Sequence, residues 1–298
     1  MQNKAHITLV PVGGLANRMK GINAAITFAD KIGATLEIIW FTGWELNCPF
    51  HKLFAPINRD GITLREATFL DYILYDRPRR KNLHIPKLFQ KIMFDKTMYE
   101  SEAGERTSGK FDFTVWCDKK KHYIATFSEF CADEKRHVFE MFKPAKELEE
   151  RIRQNVNRFS AHTIGVHIRR TDNVIAIEKS PTELFIRRMQ EEIRQNQDAQ
   201  FYLATDSEQE KKTLGEMFKG RITTSPFRAD RNSVEGMQEA VVELYTLAAT
   251  THIIGSTGST YARTAARIGK IEYEYVSKEA SYTHTCPTSS ITCKHSLR

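Results

Sequence analysis

Three apolar runs in this sequence end in polar residues whose types and spacing could do chemistry. His167, Arg169 and Arg170 follow Ile164-Gly165-Val166, and Thr205-Asp206 follows Phe201-Tyr202-Leu203-Ala204. Ser256-Thr257-Gly258-Ser259 follows Thr251-His252-Ile253-Ile254. Guanidinium forks and the free N–H groups of a helix start both favour anionic oxygens, so together these residues suit a phosphate or diphosphate. Each piece also has a plainer reading. Asp172 can pair with one of the arginines, a Gly-Ser turn can simply carry an N-cap, and a histidine at a strand end can be structural. Their convergence is what favours an anion site.

The elements that must bring them together alternate. Strands are expected at 163–168, 200–206, 221–225, 251–256 and 270–275, with helices at 207–218, 233–250 and 259–268 between them. Ser180-Pro181-Thr182-Glu183 has the spacing of a capping box opening a further helix. Such alternation predicts a doubly wound α/β parallel sheet, whose strand tips line one crevice. The N-terminal stretch reads the same way, with a strand at 6–12, a turn at Gly13-Gly14, a helix over 15–33 and a strand at 35–40. From 41 to 142 the pattern is irregular. The segment 143–156 reads as an amphipathic helix with Leu148, Ile152 and Val156 on one face, a linker between halves.

The 298 residues allow two domains, and 41% apolar with 27% charged residues is an ordinary globular composition. The formal charge of +7 favours anionic partners without choosing among them. No RNA-recognition, helix-turn-helix or zinc pattern is present, and basic residues are not interleaved with aromatics, which argues against nucleic acid. The basic stretch 77–91 reads either as a solvated surface or as a docking surface for an anionic substrate or membrane headgroups. No targeting segment or spanning run is recognised, and the five scattered cysteines form no framework, so a reducing cytoplasm is expected, with peripheral contact at the inner membrane face through 77–91. Cys286 and Cys293 could pair in the tail.

Val166-His167-Ile168-Arg169-Arg170-Thr171-Asp172 resembles the His-x-Arg-Arg-Thr-Asp segment of the α1,6-fucosyltransferase and nodulation fucosyltransferase family. The Ala204-Thr205-Asp206 segment, the stretch 243–269 and Gly13-Gly14-Leu15-Ala16-Asn17-Arg18 are similar to further segments of that superfamily, which includes protein O-fucosyltransferases. The segment 45–140 has no match. The resemblance implies two Rossmann-like domains facing a central cleft (GT-B type): an acceptor-side domain at 1–142, a linker helix at 143–160, a nucleotide-sugar domain at 161–276 and a tail at 277–298. It implies GDP-fucose as donor, no required metal or cofactor, and an oligosaccharide or glycolipid acceptor.

Carried over by position, the resemblance implies that Arg169 neutralises the β-phosphate and that Arg170 assists on the diphosphate or the sugar. His167 and Glu243 lie towards the guanine, and Asp206 lies at the nucleotide edge or fixes the loop. Ser259 and Thr260 donate to phosphate oxygens, and Asp172 and Gly14 belong to the donor side. Asn17 reaches the donor or acceptor. Asn173 stands where the α1,6 enzymes have Lys, and Ser207 where they have an acidic residue. Glu178 is one place late, and Glu243 stands for Asp, so the donor is better supported than the linkage. Breaking the sugar–phosphate bond leaves charge on GDP, which fixed cations and amides stabilise. Direct attack by an acceptor hydroxyl inverts the anomeric centre. Glu178 is the candidate base, with His51 and Glu45 as poorer ones. The alternatives are a transferase using another nucleotide sugar and a non-catalytic anion- or nucleic-acid-binding protein.

Overall fold

The computed structural model describes residues 4–109, 111–118, 120–131, 138–171, 174–279 and 282–284. Asp172, Asn173, Cys286 and Cys293 lie outside them. The chain divides into two compact units, Met1–Ala145 with Arg231–Met237, and Lys146–Asp230 with Gln238–Arg298. The helix expected as a linker, Lys146–Val156, lies in the second unit, and the chain returns to the first at Arg231–Met237. That return is held by Asn47, whose backbone N–H donates to the Arg231 carbonyl at 2.8 Å and whose Nδ2 donates to the Asn232 carbonyl at 3.0 Å.

The first unit is built on strands β1 (His6–Pro11), β2 (Thr35–Trp40), β3 (Ile62–Glu66), β4 (Lys96–Met98) and β5 (Lys121–Thr126). They form one parallel sheet in the order β3-β2-β1-β5-β4. Ile7, Leu9, Ile38, Ile39 and Ile124 are buried in it, and the helix Leu15–Ile32 is buried almost throughout its first four turns. β3, β4 and β5 fall in the stretch that reads as irregular. β3 carries Arg65 and Glu66, β4 has three residues, and the buried β5 includes His122 and Tyr123, so none shows an uninterrupted apolar run.

The second unit contains β6 (Thr163–Ile168), β7 (Gln200–Thr205), β8 (Ile222–Thr224), β9 (His252–Ser256), β10 (Glu272–Val276) and β11 (Tyr282–His284). The order is β11-β10-β9-β6-β7-β8, parallel except for β11, which runs against β10 in a region assigned no structure from sequence. β6 lies between β7 and β9, so the strand order reverses at the β6/β9 boundary. A crevice opens at such a reversal in parallel sheets.

Alternation along β6 sorts its side chains. Ile164, Val166 and Ile168 join a cluster with Phe185, Met189, Phe201 and Leu203. Gly165 and His167 point to the other face, where a Cβ on Gly165 would meet Thr250 Oγ1 at 2.8 Å and Leu247 at 3.1 Å. The helix Thr260–Gly269 packs so closely that a Cβ on Gly269 would lie 2.0 Å from the Ala248 carbonyl oxygen. The capping box expected at Ser180 does not form. Pro181 is the N-cap of the helix Thr182–Gln195, and the Ser180 hydroxyl donates instead to the Val276 carbonyl at 2.7 Å.

Candidate functional site

The β6 alternation continues past the strand end and separates the two arginines. Arg170 falls on the Ile168 side, where its guanidinium lies over the Phe185 ring at 5.9 Å. Its Nε donates to Glu210 Oε1 at 2.6 Å, and its other nitrogens donate to Thr182 Oγ1 at 3.2 Å and the Arg169 carbonyl at 3.1 Å. The guanidinium expected to assist on the diphosphate or the sugar thus has protein partners on this loop. Arg170 is turned inward to hold the loop, because the nearly buried Glu210 carboxylate offers it an ion pair. Arg169 falls on the His167 side, half-buried, and its backbone N–H donates to Ser256 Oγ at 3.2 Å.

Asp206 fixes the same loop. Its carboxylate accepts from the backbone N–H groups of Arg170 at 2.7 Å and Thr171 at 3.2 Å, and from Thr171 Oγ1 at 2.6 Å. Of the two roles open to Asp206, the contacts are those of a loop anchor. Ser207 caps the helix Glu208–Met217 by accepting from the Glu210 N–H at 3.3 Å.

His167 is 7% exposed and stacks on Tyr261 with ring centroids 5.0 Å apart. Burial, aided by the Arg169 charge and opposed by Asp206, pushes its pKa down to about 4, so the ring is neutral at pH 7. Its Nδ1 lies 3.2 Å from Ser259 Oγ. Ser259 is buried and also caps the helix Thr260–Gly269, accepting from the Ala262 N–H at 3.2 Å. The Ser259 hydroxyl, expected to donate to a phosphate, is engaged within the protein, while Thr260 is half-buried at the helix start. The preceding turn is pinned by the Thr257 N–H, which donates to Ser180 Oγ at 2.8 Å.

Glu243 lies on the helix Val234–Ala248, 4% exposed, and its Oε1 has no hydrogen-bond partner among the described residues. Burial first, then repulsion from Glu239, raises its pKa to about 8, so it holds a proton at neutral pH. It is near enough to Tyr261 to raise that hydroxyl's pKa, second only to burial. A neutral imidazole, a tyrosine ring and a buried carboxyl therefore neighbour one another beside Arg169. Tyr261 was missed from sequence, although it directly follows Ser259-Thr260.

The first unit has its own reversal, between β1 and β5. Gly13 there has φ +86°, a left-handed conformation that favours glycine, and its N–H donates to Glu45 Oε2 at 3.1 Å. Gly14 is the N-cap of the helix Leu15–Ile32, and Asn17 sits in its first turn, with its Cβ and Nδ2 beside Gly13. Arg18 was also missed. It is buried, lies over the Trp40 ring at 4.7 Å, and donates to the carbonyls of Gly13 at 2.8 Å and Phe41 at 2.6 Å. Desolvation lowers its pKa to about 10. Glu45 is also paired with Arg77 at 2.6 Å, and the exposed His51 lies 3.3 Å from Glu66. Glu178 is exposed on the helix Val174–Lys179. Among the described residues no group of three or more His, Cys, Asp and Glu could hold a metal ion.

No protein-family model matches the sequence, and no curated protein matches it. Solved structures do match. The fucosyltransferase NodZ from Bradyrhizobium aligns with a TM-score of 0.66 at 18% identity, over 95% of this chain and 99% of that one. This chain shares the fold of that fucosyltransferase. A NodZ α-1,6-fucosyltransferase soaked with GDP-fucose gives 0.63 at 18% identity, over 91% and 94% of the two chains. The apo form of POFUT1 gives 0.56 at 10% identity, over 93% and 99%. The expected architecture of two parallel sheets flanked by helices is the one observed, and the match extends through 45–140, where no sequence segment suggested it.

Proposed function

We propose that this chain is an inverting glycosyltransferase that transfers fucose from GDP-fucose to a hydroxyl of a glycan, either an oligosaccharide or a glycolipid, with no metal required and in the cytoplasm. One observation carries the donor assignment: at the β6/β9 reversal, Arg169 lies beside the neutral His167, the stacked Tyr261 and the buried Glu243 with its partnerless oxygen. A buried carboxyl lacking a partner costs stability unless a ligand supplies donors. The N1 and N2 hydrogens of guanine are such donors, and accepting from them would ionise Glu243 and release its proton. The fold is shared with a NodZ structure soaked with GDP-fucose, which supports the same donor.

In this reading Arg169 stabilises the charge that develops on the leaving diphosphate as the sugar–oxygen bond breaks. The acceptor oxygen attacks the opposite face of the anomeric carbon, and its proton passes to a base, for which the exposed Glu178 is the candidate. Arg170 and Asp206 act earlier, by holding the loop so that Arg169 pays little reorganisation at reaction. The experiment is a thermal-shift comparison of GDP, UDP, ADP and CMP. GDP should stabilise the chain most. Strong stabilisation by UDP with none by GDP would remove guanine and favour a different nucleotide-sugar donor.

A further inference from the structure

The helix Ile85–Met93 in the first unit is turned inside out relative to an ordinary surface helix. Its inward residues are Pro86 and Gln90, followed by Phe94, and Gln90 is fully buried with its Nε2 donating to the Leu74 and Asp76 carbonyls at 3.2 and 2.9 Å. Ile85, Leu88, Phe89 and Ile92, at the spacing of one helical face, are 41%, 66%, 39% and 85% exposed. Leu83 just before the helix is 78% exposed, and Phe69, next to the neighbouring short helix Asp71–Leu74, is 81% exposed. Single exposed apolar residues are commonplace, but a whole stripe with additions from an adjoining element marks an interaction surface.

Along the helix and its approach the charge is of one sign. Residues 77–94 contain six Arg and Lys and no Asp or Glu. Arg77 and Arg79 are engaged by Glu45, Glu100 and Asp76, and Lys87 lies over the Tyr99 ring. Arg80, Lys81 and Lys91 are exposed beside the stripe. A second copy pairing through the same face would set these cations against their own kind. A surface combining an apolar helix face with flanking lysines is what binds an anionic lipid interface, where the acyl boundary takes the apolar side chains and headgroups take the cations.

We infer that the face formed by Ile85–Met93, Leu83 and Phe69 docks the protein on an anionic phospholipid surface. The basic stretch 77–91 alone would support only a weak, diffuse attraction; the outward apolar stripe supplies the insertion. This inference is independent of the proposed sugar transfer, since its test reads binding and not turnover.

The test is co-sedimentation of the full chain with vesicles of phosphatidylcholine alone and of equal parts phosphatidylcholine and phosphatidylglycerol, with light scattering of the free protein. The chain should pellet with the anionic vesicles and stay in solution with the neutral ones. Leu88→Glu with Ile92→Glu should lower vesicle affinity at least ~10-fold, since two inserted side chains are lost, with no change in thermal midpoint because both are exposed. Lys81→Gln and Lys91→Gln should each weaken it about fivefold, the effect of one cation near such a surface. Failure of the wild-type chain to pellet with anionic vesicles overturns the proposal, as does unchanged binding by the double variant. A mass that doubles with concentration and reverts in the double variant, without vesicle binding, assigns the face to a second copy instead.

Discussion

The two sheets reverse strand order in the same manner, beside β1 in one unit and beside β6 in the other, yet the loops at these reversals differ in what they leave unsatisfied. After β1, the Gly13 N–H already faces an anion of the protein itself, Glu45, which is paired with Arg77, and Arg18 is turned onto two carbonyls. After β6, the backbone is anchored by Asp206 and Ser256 and one arginine by Glu210, while Glu243 keeps a buried oxygen without a partner among the described residues. Topology therefore places a reversal in both units, but local side-chain chemistry decides how the groups beside each are partnered.

Removing the central cation tests the β6 side most severely. Arg169→Ala should lose between ~100- and ~1000-fold in GDP-fucose turnover, the range for deleting a transition-state stabiliser. Near-normal turnover would leave no difference in role between Arg169 and Arg170. Glu210→Ala attacks the scaffold of that loop. It strands Arg170 without its ion pair, and urea unfolding should show a loss of about 3 kcal/mol, at the lower end for breaking a buried pair. A loss as small as that of a surface residue would mean that Asp206 and Ser256 hold the loop without help from the Arg170 pair.

Glu243→Gln sharpens the contrast through pH. The folded state raises the Glu243 pKa to about 8 from an ordinary value of 4.5. Between these values the unfolded chain releases a proton that the folded chain keeps, so this group's contribution to stability is lost as pH rises through the window. The Gln variant lacks that loss. Its melting temperature relative to wild type should rise by roughly 6–12 °C from pH 5 to pH 8, as about 3 kcal/mol would give. A pH-independent gap would show that Glu243 titrates normally. The smallest effect belongs to the first unit: Glu45→Gln should cost about 1 kcal/mol or less by the same unfolding measurement, because Arg77 retains Glu100 at 2.6 Å. A larger loss would show that Glu45 supports its loop as strongly as Glu210 does the other.

Much of this was legible beforehand. The second unit's strands follow a regular apolar rhythm, and their boundaries from β6 to β10 fall within about two residues of expectation, ordinary fraying for such elements, although the short helix Val174–Lys179 was not foreseen. In the first unit, β3 and β4 were hidden because edge strands need no continuous apolar run, and β5 because His122 and Tyr123 interrupt its pattern although both are buried. Ser180 misled for a different reason. Its spacing to Glu183 fits a capping box, but a tertiary partner, the Val276 carbonyl, takes its hydroxyl.

The sequence by itself determined that polar strand tips would share one sheet edge, because alternating strands and helices leave a parallel sheet as the packing solution. Only the tertiary structure decided which neighbour does what. Arg169 and Arg170 are adjacent and identical in type, yet alternation sends them to opposite faces, one beside His167 and the other onto Phe185 and Glu210. The outward turn of the Ile85–Met93 stripe was equally undecided by its spacing, since helical periodicity defines a face but packing against Leu74 and Asp76 sets which way that face points.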